Sequence, residues 1–225
     1  MKARCQMDST LESKGYLIQE SSILKSDANE LLHKLITSYR GEWDEIWAPR
    51  NRIHIPLEIE GIFKLLLKEI ISNTTSLIPE LTTSNDLNNL AEFASITSFP
   101  SSEAQAWHRD SRDPTGLLFS AFVNLLEITD EVGPLQVVRG SHKDIQPDAT
   151  VKKKDIITLT LPAMSLVIMD SRIIHRGGTN SSKNKIRPVI YASFGRIDLA
   201  DPGYHIKEKY RHYGFPKLSE IYESL

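Results

Sequence analysis

The chain has 225 residues with 27 basic against 29 acidic side chains, a net charge of −2 at neutral pH. Its 40% apolar and 25% charged residues are ordinary for a globular protein; it has no basic stripe of the kind that reads nucleic acid and no window near the ~20 apolar residues that span a membrane. One cysteine, Cys5, excludes an intramolecular disulfide and fits a reducing compartment or indifference to redox; a cytoplasmic location is expected.

The length is that of one domain over residues 1–225. Met1 to Lys14 reads as a polar leader without the apolar run of a signal peptide. Gly15 to Gln19 is a short strand candidate. Asp27 and Glu30 have capping-box spacing, and Leu31, Leu32, Leu35, Ile36 and Tyr39 then recur at helical spacing, predicting a helix to about Arg40. Gly41 to Pro56 reads as irregular, with Trp43, Trp47, Arg50, Arg52 and His54 either in a packed connector with an aromatic anchor or in a loop at the mouth of a site. Ile62, Phe63, Leu65, Leu66, Leu67, Ile70 and Ile71 predict a strongly apolar helix packed on a sheet. Pro79 and the Thr and Asn clusters make Leu77 to Leu90 a helix end and loop.

From about residue 91 the period changes from helix to strand. Phe93 to Phe99 is a strand that stops at Pro100. Gly116 to Glu127 is a longer one, with Phe119, Ala121, Val123 and Leu125 on one face and Ser120, Phe122 and Asn124 on the other. Pro134 to Val138, Ile156 to Leu161, Ser165 to Met169 and Ile186 to Phe194 follow. Gly140-Ser141-His142 is a tight corner, and Lys152 to Lys154 a solvated loop. Many short strands behind a helical N-terminal part predict a mainly β jelly roll (a double-stranded β-helix, cupin-like) with covering α-helices. In that division residues 15–90 pack on a core of 91–197, and 198–225 form a tail rich in aromatics, a candidate lid.

The chemistry centres on Gln105-Ala106-Trp107-His108-Arg109-Asp110. In extended backbone His108 and Asp110 project to one face, with Trp107 and Arg109 on the other. One imidazole and one carboxylate make two-thirds of a two-His, one-carboxylate Fe(II) site with open positions. A second pair, His142-Lys143-Asp144, has the same spacing, so the dipeptide alone is weak. What sets the first apart is His175 downstream as a third ligand, followed by Arg187 opening an apolar strand, where its planar guanidinium suits a carboxylate.

These residues, with Gly133-Pro134-Leu135, Gly140-Ser141-His142-Lys143, Asp170-Ser171-Arg172 and Asn180, resemble in order the motifs of the phytanoyl-CoA dioxygenase family, from about Gly15 to Tyr191. Two positions depart from the usual pattern, Val132 for Asn and Arg139 for Pro. The resemblance implies Fe(II), 2-oxoglutarate and O2 as cofactor and co-substrates. It implies His108, Asp110 and His175 as metal ligands and catalytic centre, and Arg187 as anchor of the far carboxylate of 2-oxoglutarate. Thr179 or Ser182 is a candidate hydroxyl donor there, since the small hydroxyl residue common two positions after the second His is Gly177 here, and Asn124 and Gln105 are candidates to orient the C1 carboxylate of 2-oxoglutarate or the substrate. Arg50, Arg52, His54, Trp107, Arg176 and Tyr191 are candidates to meet a small-molecule substrate. The implied activity is hydroxylation, or desaturation or cyclisation, of a metabolite or natural-product intermediate with release of succinate and CO2. The alternatives are a non-catalytic jelly-roll binding protein and a metal cupin enzyme that does not use 2-oxoglutarate. Oligomeric state is not readable.

Overall fold

A computed structural model of the chain describes residues 9–20, 27–38, 51–83, 88–144, 151, 153–196, 217–218 and 221. Trp43, Trp47, Arg50 and the proposed lid, apart from three residues near its end, lie outside the described residues.

Nine strands occur among the described residues: β1 (Tyr16–Gln19), β2 (Arg52–Pro56), β3 (Leu90–Ser98), β4 (Leu118–Asn124), β5 (Leu135–Val138), β6 (Ile156–Leu159), β7 (Leu166–Asp170), β8 (His175–Gly177) and β9 (Arg187–Gly195). They form a six-stranded sheet in the order β1-β7-β4-β9-β3-β2 and a three-stranded sheet β6-β5-β8, paired antiparallel throughout. After β4 the chain crosses to the small sheet for β5 and β6, returns for β7, crosses again for β8 and returns for β9. This alternation makes a jelly roll, as the sequence predicts.

The larger sheet is covered on both faces, and strand alternation decides which residue goes where. On β9, Ile190, Ala192 and Phe194 join Phe93, Phe119, Ala121 and Val123 beneath the helices. The helices are α1 (Ser9–Lys14), α2 (Ala28–Ser38), α3 (Gly61–Leu77) and α4 (Glu80–Thr83). Phe63, Leu66, Leu67, Ile70 and Ile71 bury one stripe of α3 in the same core, together with Leu31 and Leu35 of α2. The opposite face of the sheet, through Val167 and Met169, meets Val137 and Leu159 of the small sheet in a second apolar cluster. The site lies on this inner side.

Two expectations are corrected. Residues 52–56 are not irregular: they form β2, the edge strand, with Arg52 opposite Ser98 and His54 opposite Ile96 of β3. The alternation Arg-Ile-His-Ile is the cause, because Ile53 and Ile55 belong to the helix-side core and turn Arg52 and His54 the other way. The segment around His108 is not a regular strand but an extended arm along β8. Ser102 bridges Asn180, the Gln105 N–H donates to the Gly177 carbonyl (2.9 Å), His108 bridges His175, and the Asp110 N–H reaches the Ser171 carbonyl (3.0 Å).

Candidate active site

Pairing of this arm with β8 brings three donors together. His175 Nε2 lies 3.5 Å and His108 Nε2 3.7 Å from Asp110 Oδ1. One ligand atom from each of His108, Asp110 and His175 lies within 4.8 Å of the others, the size of a metal coordination sphere. His108 Nδ1 is 2.9 Å from the Ala106 carbonyl and His175 Nδ1 3.1 Å from the Ile173 carbonyl. A carbonyl only accepts, so each Nδ1 carries a hydrogen, and it is Nε2 of each ring that faces the centre. Burial pushes the His175 imidazole down to about 4, so it is neutral at pH 7, the form a metal requires. His175 is the deepest of the three donors, with its side chain 6% exposed against 39% for His108 and 28% for Asp110. Two imidazole nitrogens and one carboxylate, all on one side, fit a divalent transition metal that keeps further positions open.

The neighbouring motifs hold this geometry from behind. Arg109 turns away from the cluster and donates to the carbonyls of Ser141, Arg172 and Asp144. Ser141 Oγ accepts the Ile174 N–H (2.8 Å), and His142 Nε2 bonds the Glu12 carbonyl (3.0 Å). The Gly140-Ser141-His142 corner is therefore scaffold. Gly133 (φ 79°) and Gly178 pack backbone to backbone: a Cβ on either would fall 2.8 Å from a carbonyl oxygen of the other strand.

The three donors open onto a cavity of about 460 Å³. Its walls are largely apolar: Ile96 from β3, Leu118 and Phe122 from β4, Leu135 and Leu159 from the small sheet, Val167 and Val189 from β7 and β9. At one end Arg187 is 5% exposed and, among the described residues, its side chain makes a single hydrogen bond, from Nη2 to Ser98 Oγ (3.3 Å), while Nε finds no partner there. Burial, with Arg52 alongside, pushes its guanidinium down to about 9, still cationic at neutral pH. Gln105 also lines the cavity. Its Oε1 is taken by the Gly177 N–H (2.8 Å), which leaves Nε2 as a donor for a ligand. His54, Tyr191 and Glu92 line another part of the wall. The Tyr191 hydroxyl lies 2.6 Å from His54 Nε2 and 3.4 Å from Glu92 Oε1. Burial, then the carboxylates of Glu92 and Asp110, hold the Tyr191 phenol well above its usual range, so it stays protonated.

A family model, described as "Phytanoyl-CoA dioxygenase (PhyH)", matches residues 42–189, about two-thirds of the chain. The chain belongs to the phytanoyl-CoA dioxygenase family. Similar curated proteins are dioxygenase easH of Epichloe festucae var. lolii, 26% identical over 42% of this chain and 56% of its own length, and dioxygenase aneA of Aspergillus aculeatus, 30% identical over 39% and 34%. The matches thus span about half of the first relative and a third of the second. Among solved structures, the α-ketoglutarate-dependent epimerase SnoN from nogalamycin biosynthesis superposes with a TM-score of 0.71 at 18% identity, covering 93% of this chain and 96% of SnoN. HygX from Streptomyces hygroscopicus, solved with nickel and 2-oxoglutarate bound, gives 0.65 at 12% identity over 92% and 93%. At these identities the likeness establishes the jelly-roll fold.

Several family-implied positions stand elsewhere than expected. Thr179 is exposed, because the chain leaves β8 at Gly177 and strand alternation no longer turns residue 179 inward. Arg176 and Trp107 do not line the cavity: the Arg176 guanidinium stacks 4.3 Å from the Trp107 ring and its Nε bonds Gln136 Oε1 (2.8 Å) on the outside of the small sheet. Asn124 lines the cavity but spends its Nδ2 on the carbonyls of Leu126 and Pro162, leaving only an acceptor, Oδ1, which cannot bind a carboxylate. Arg52 is 1% exposed and reads no substrate at a mouth. Arg50 lies outside the described residues. Glu92 was missed. An acid within the otherwise apolar run Leu90-Ala91-Glu92-Phe93-Ala94 was the signal that could have found it.

Proposed function

We propose that the chain is an Fe(II)- and 2-oxoglutarate-dependent oxygenase that oxidises a small molecule, with release of succinate and CO2. The observation that carries this reading is the convergence of His108, Asp110 and His175, with both histidine rings held through Nδ1, in one cavity with the buried Arg187. Family membership supports it.

In this reading His108, Asp110 and His175 hold the metal. Arg187 anchors the far carboxylate of 2-oxoglutarate, and Gln105 Nε2 is a neutral donor beside it. The metal with 2-oxoglutarate and O2 supplies oxidative decarboxylation coupled to two-electron oxidation of a substrate C–H bond. The protein's part is to orient the substrate carbon and keep water out. The apolar wall of Phe122, Leu135, Leu159, Leu161 and Val167 excludes water. His54, Tyr191 and Glu92 provide a polar contact for one hydroxyl or amine of the substrate. The substrate class is therefore a mainly apolar metabolite or natural-product intermediate with one polar handle, rather than a small, fully polar one. Hydroxylation is the proposed outcome. The large sheet shares one apolar cluster with the helices and a second with the small sheet, which supports reading 1–225 as one domain. No helix among the described residues is long and apolar enough to cross a membrane.

The test is uncoupled turnover. Protein given Fe(II), 2-oxoglutarate and air should form succinate slowly, and His108→Ala should lower the rate by at least ~100-fold while keeping its circular dichroism. Absence of succinate from folded, iron-loaded protein, or an unchanged rate in the variant, would contradict the assignment.

A further inference from the structure

Arg176 and Trp107 lie outside the cavity, yet each is the chain neighbour of a metal-site histidine, and nothing in the proposed chemistry accounts for their contact. His108 and His175 face each other as a hydrogen-bonded antiparallel pair, with N–H to carbonyl distances of 3.0 and 2.9 Å. One step along that pairing Trp107 stands opposite Arg176, at the position without backbone bonds, where facing side chains come closest. The histidines point to the inner face, so this pair points to the outer one. There the Arg176 guanidinium carbon lies 4.3 Å from the centre of the Trp107 ring, within cation–π range.

Arg176 is itself held from the other side. In the register of the small sheet it faces Gln136 of β5, which in turn faces Thr158 of β6. Arg176 Nε donates to Gln136 Oε1 (2.8 Å), and Gln136 Nε2 donates to Thr158 Oγ1 (3.2 Å). Four side chains thus form one row across the outside of the small sheet, and the row ends on the residue before His108. The arm is the part of the site that gains from such a hold. It meets β8 through isolated bridges and single hydrogen bonds instead of a continuous ladder. His108 is also the most exposed of the three donors.

Resting on the reading of His108, Asp110 and His175 as metal ligands, we propose that Arg176 and Trp107 form an outer clasp that positions His108 for the metal. The clasp closes the arm onto β8 from the face opposite the cavity, and so fixes the backbone from which His108 projects. Both are positioning residues: they act through the arm and meet neither metal nor substrate.

The test titrates Co(II), a visibly absorbing stand-in for Fe(II), into apoprotein, and reads amide hydrogen exchange on the same apoprotein. Arg176→Ala should weaken Co(II) binding roughly 3- to 10-fold, the worth of a partly exposed cation–π contact. It should speed exchange of the His108 N–H, which donates to the His175 carbonyl, by a similar factor, and leave amides of the large sheet within about twofold. Trp107→Leu removes the ring from the other side of the contact, should show the same pattern, and serves if Arg176→Ala fails to fold. Unchanged Co(II) affinity in the folded variant, or affinity lost with no faster exchange at His108, overturns the clasp. Exchange that rises equally across the large sheet marks a general loss of stability and overturns it too. Wild-type apoprotein that binds no Co(II) overturns the metal reading, and the clasp with it.

Discussion

His108 and His175 are bonded to each other through their backbones: each N–H donates to the other's carbonyl, at 3.0 and 2.9 Å, and the ring centroids stand 4.3 Å apart. The separation of the two imidazoles is thereby set by one antiparallel bridge and not by flexible side chains. Each ring is then held by the carbonyl two residues before it. A site built this way is formed before metal arrives.

A preformed site predicts that metal binding stabilises the fold by mass action. Saturating Fe(II) at ~100 times its dissociation constant should add about 2.7 kcal/mol, raising Tm by roughly 5–10 °C for a chain of this length. His175→Ala should abolish the shift. Differential scanning calorimetry under nitrogen reads both.

The apoprotein should lose stability toward acid. His175 and His142 are both held below the ordinary imidazole range, chiefly by burial. Below pH 6.5 the unfolded chain takes up protons that the folded chain refuses, so stability is intact above 6.5 and falls as pH drops to about 4. His175 alone contributes on the order of 3 kcal/mol to that fall. Urea midpoints at pH 7 and pH 4.5 check it, and His175→Gln should flatten the curve.

Asp170 is the structural carboxylate of the site loop. Its side chain is 2% exposed, Oδ2 lies 2.6 Å from Arg172 Nη2, and Oδ1 accepts the Arg172 N–H (2.9 Å). Asp170→Ala should cost about 3 kcal/mol, the low end for a broken buried pair because Arg172 reaches solvent. Chemical denaturation measures it. Metal affinity should also drop, since the adjoining Ser171 carbonyl holds the Asp110 N–H.

Leu67, fully buried in α3, belongs to scaffold alone. Leu67→Ala should destabilise the fold by about 2–5 kcal/mol and leave Fe(II) affinity unchanged. Denaturation and metal titration on one sample separate the two effects.

The convergence of His108, Asp110 and His175 was legible because it depends on short-range geometry. Extended backbone puts His108 and Asp110 on one face whether it forms a regular strand or, as here, an arm along β8. Arg187 and Tyr191 were legible for the same reason, lying two alternations apart on an apolar strand. What sequence alone could not supply was register between distant strands. Arg52 meets Arg187 only because β2 pairs with β3 and β3 with β9, placing Arg52 and Arg187 both opposite Ser98. Glu92 reaches Tyr191 and Ser193 by the same pairing, with Ser193 Oγ donating to Glu92 Oε2 (2.6 Å). Thr179 fails in the opposite direction, since the strand ends at Gly177 and alternation cannot be carried past it.

The most direct test of the account is an anaerobic titration of apoprotein with Fe(II) and 2-oxoglutarate, followed by visible absorption. The account predicts a weak charge-transfer band that needs both components and is lost in His175→Ala. Absence of the band from folded, iron-loaded protein at saturating 2-oxoglutarate would contradict it and leave a metal cupin that does not use this co-substrate.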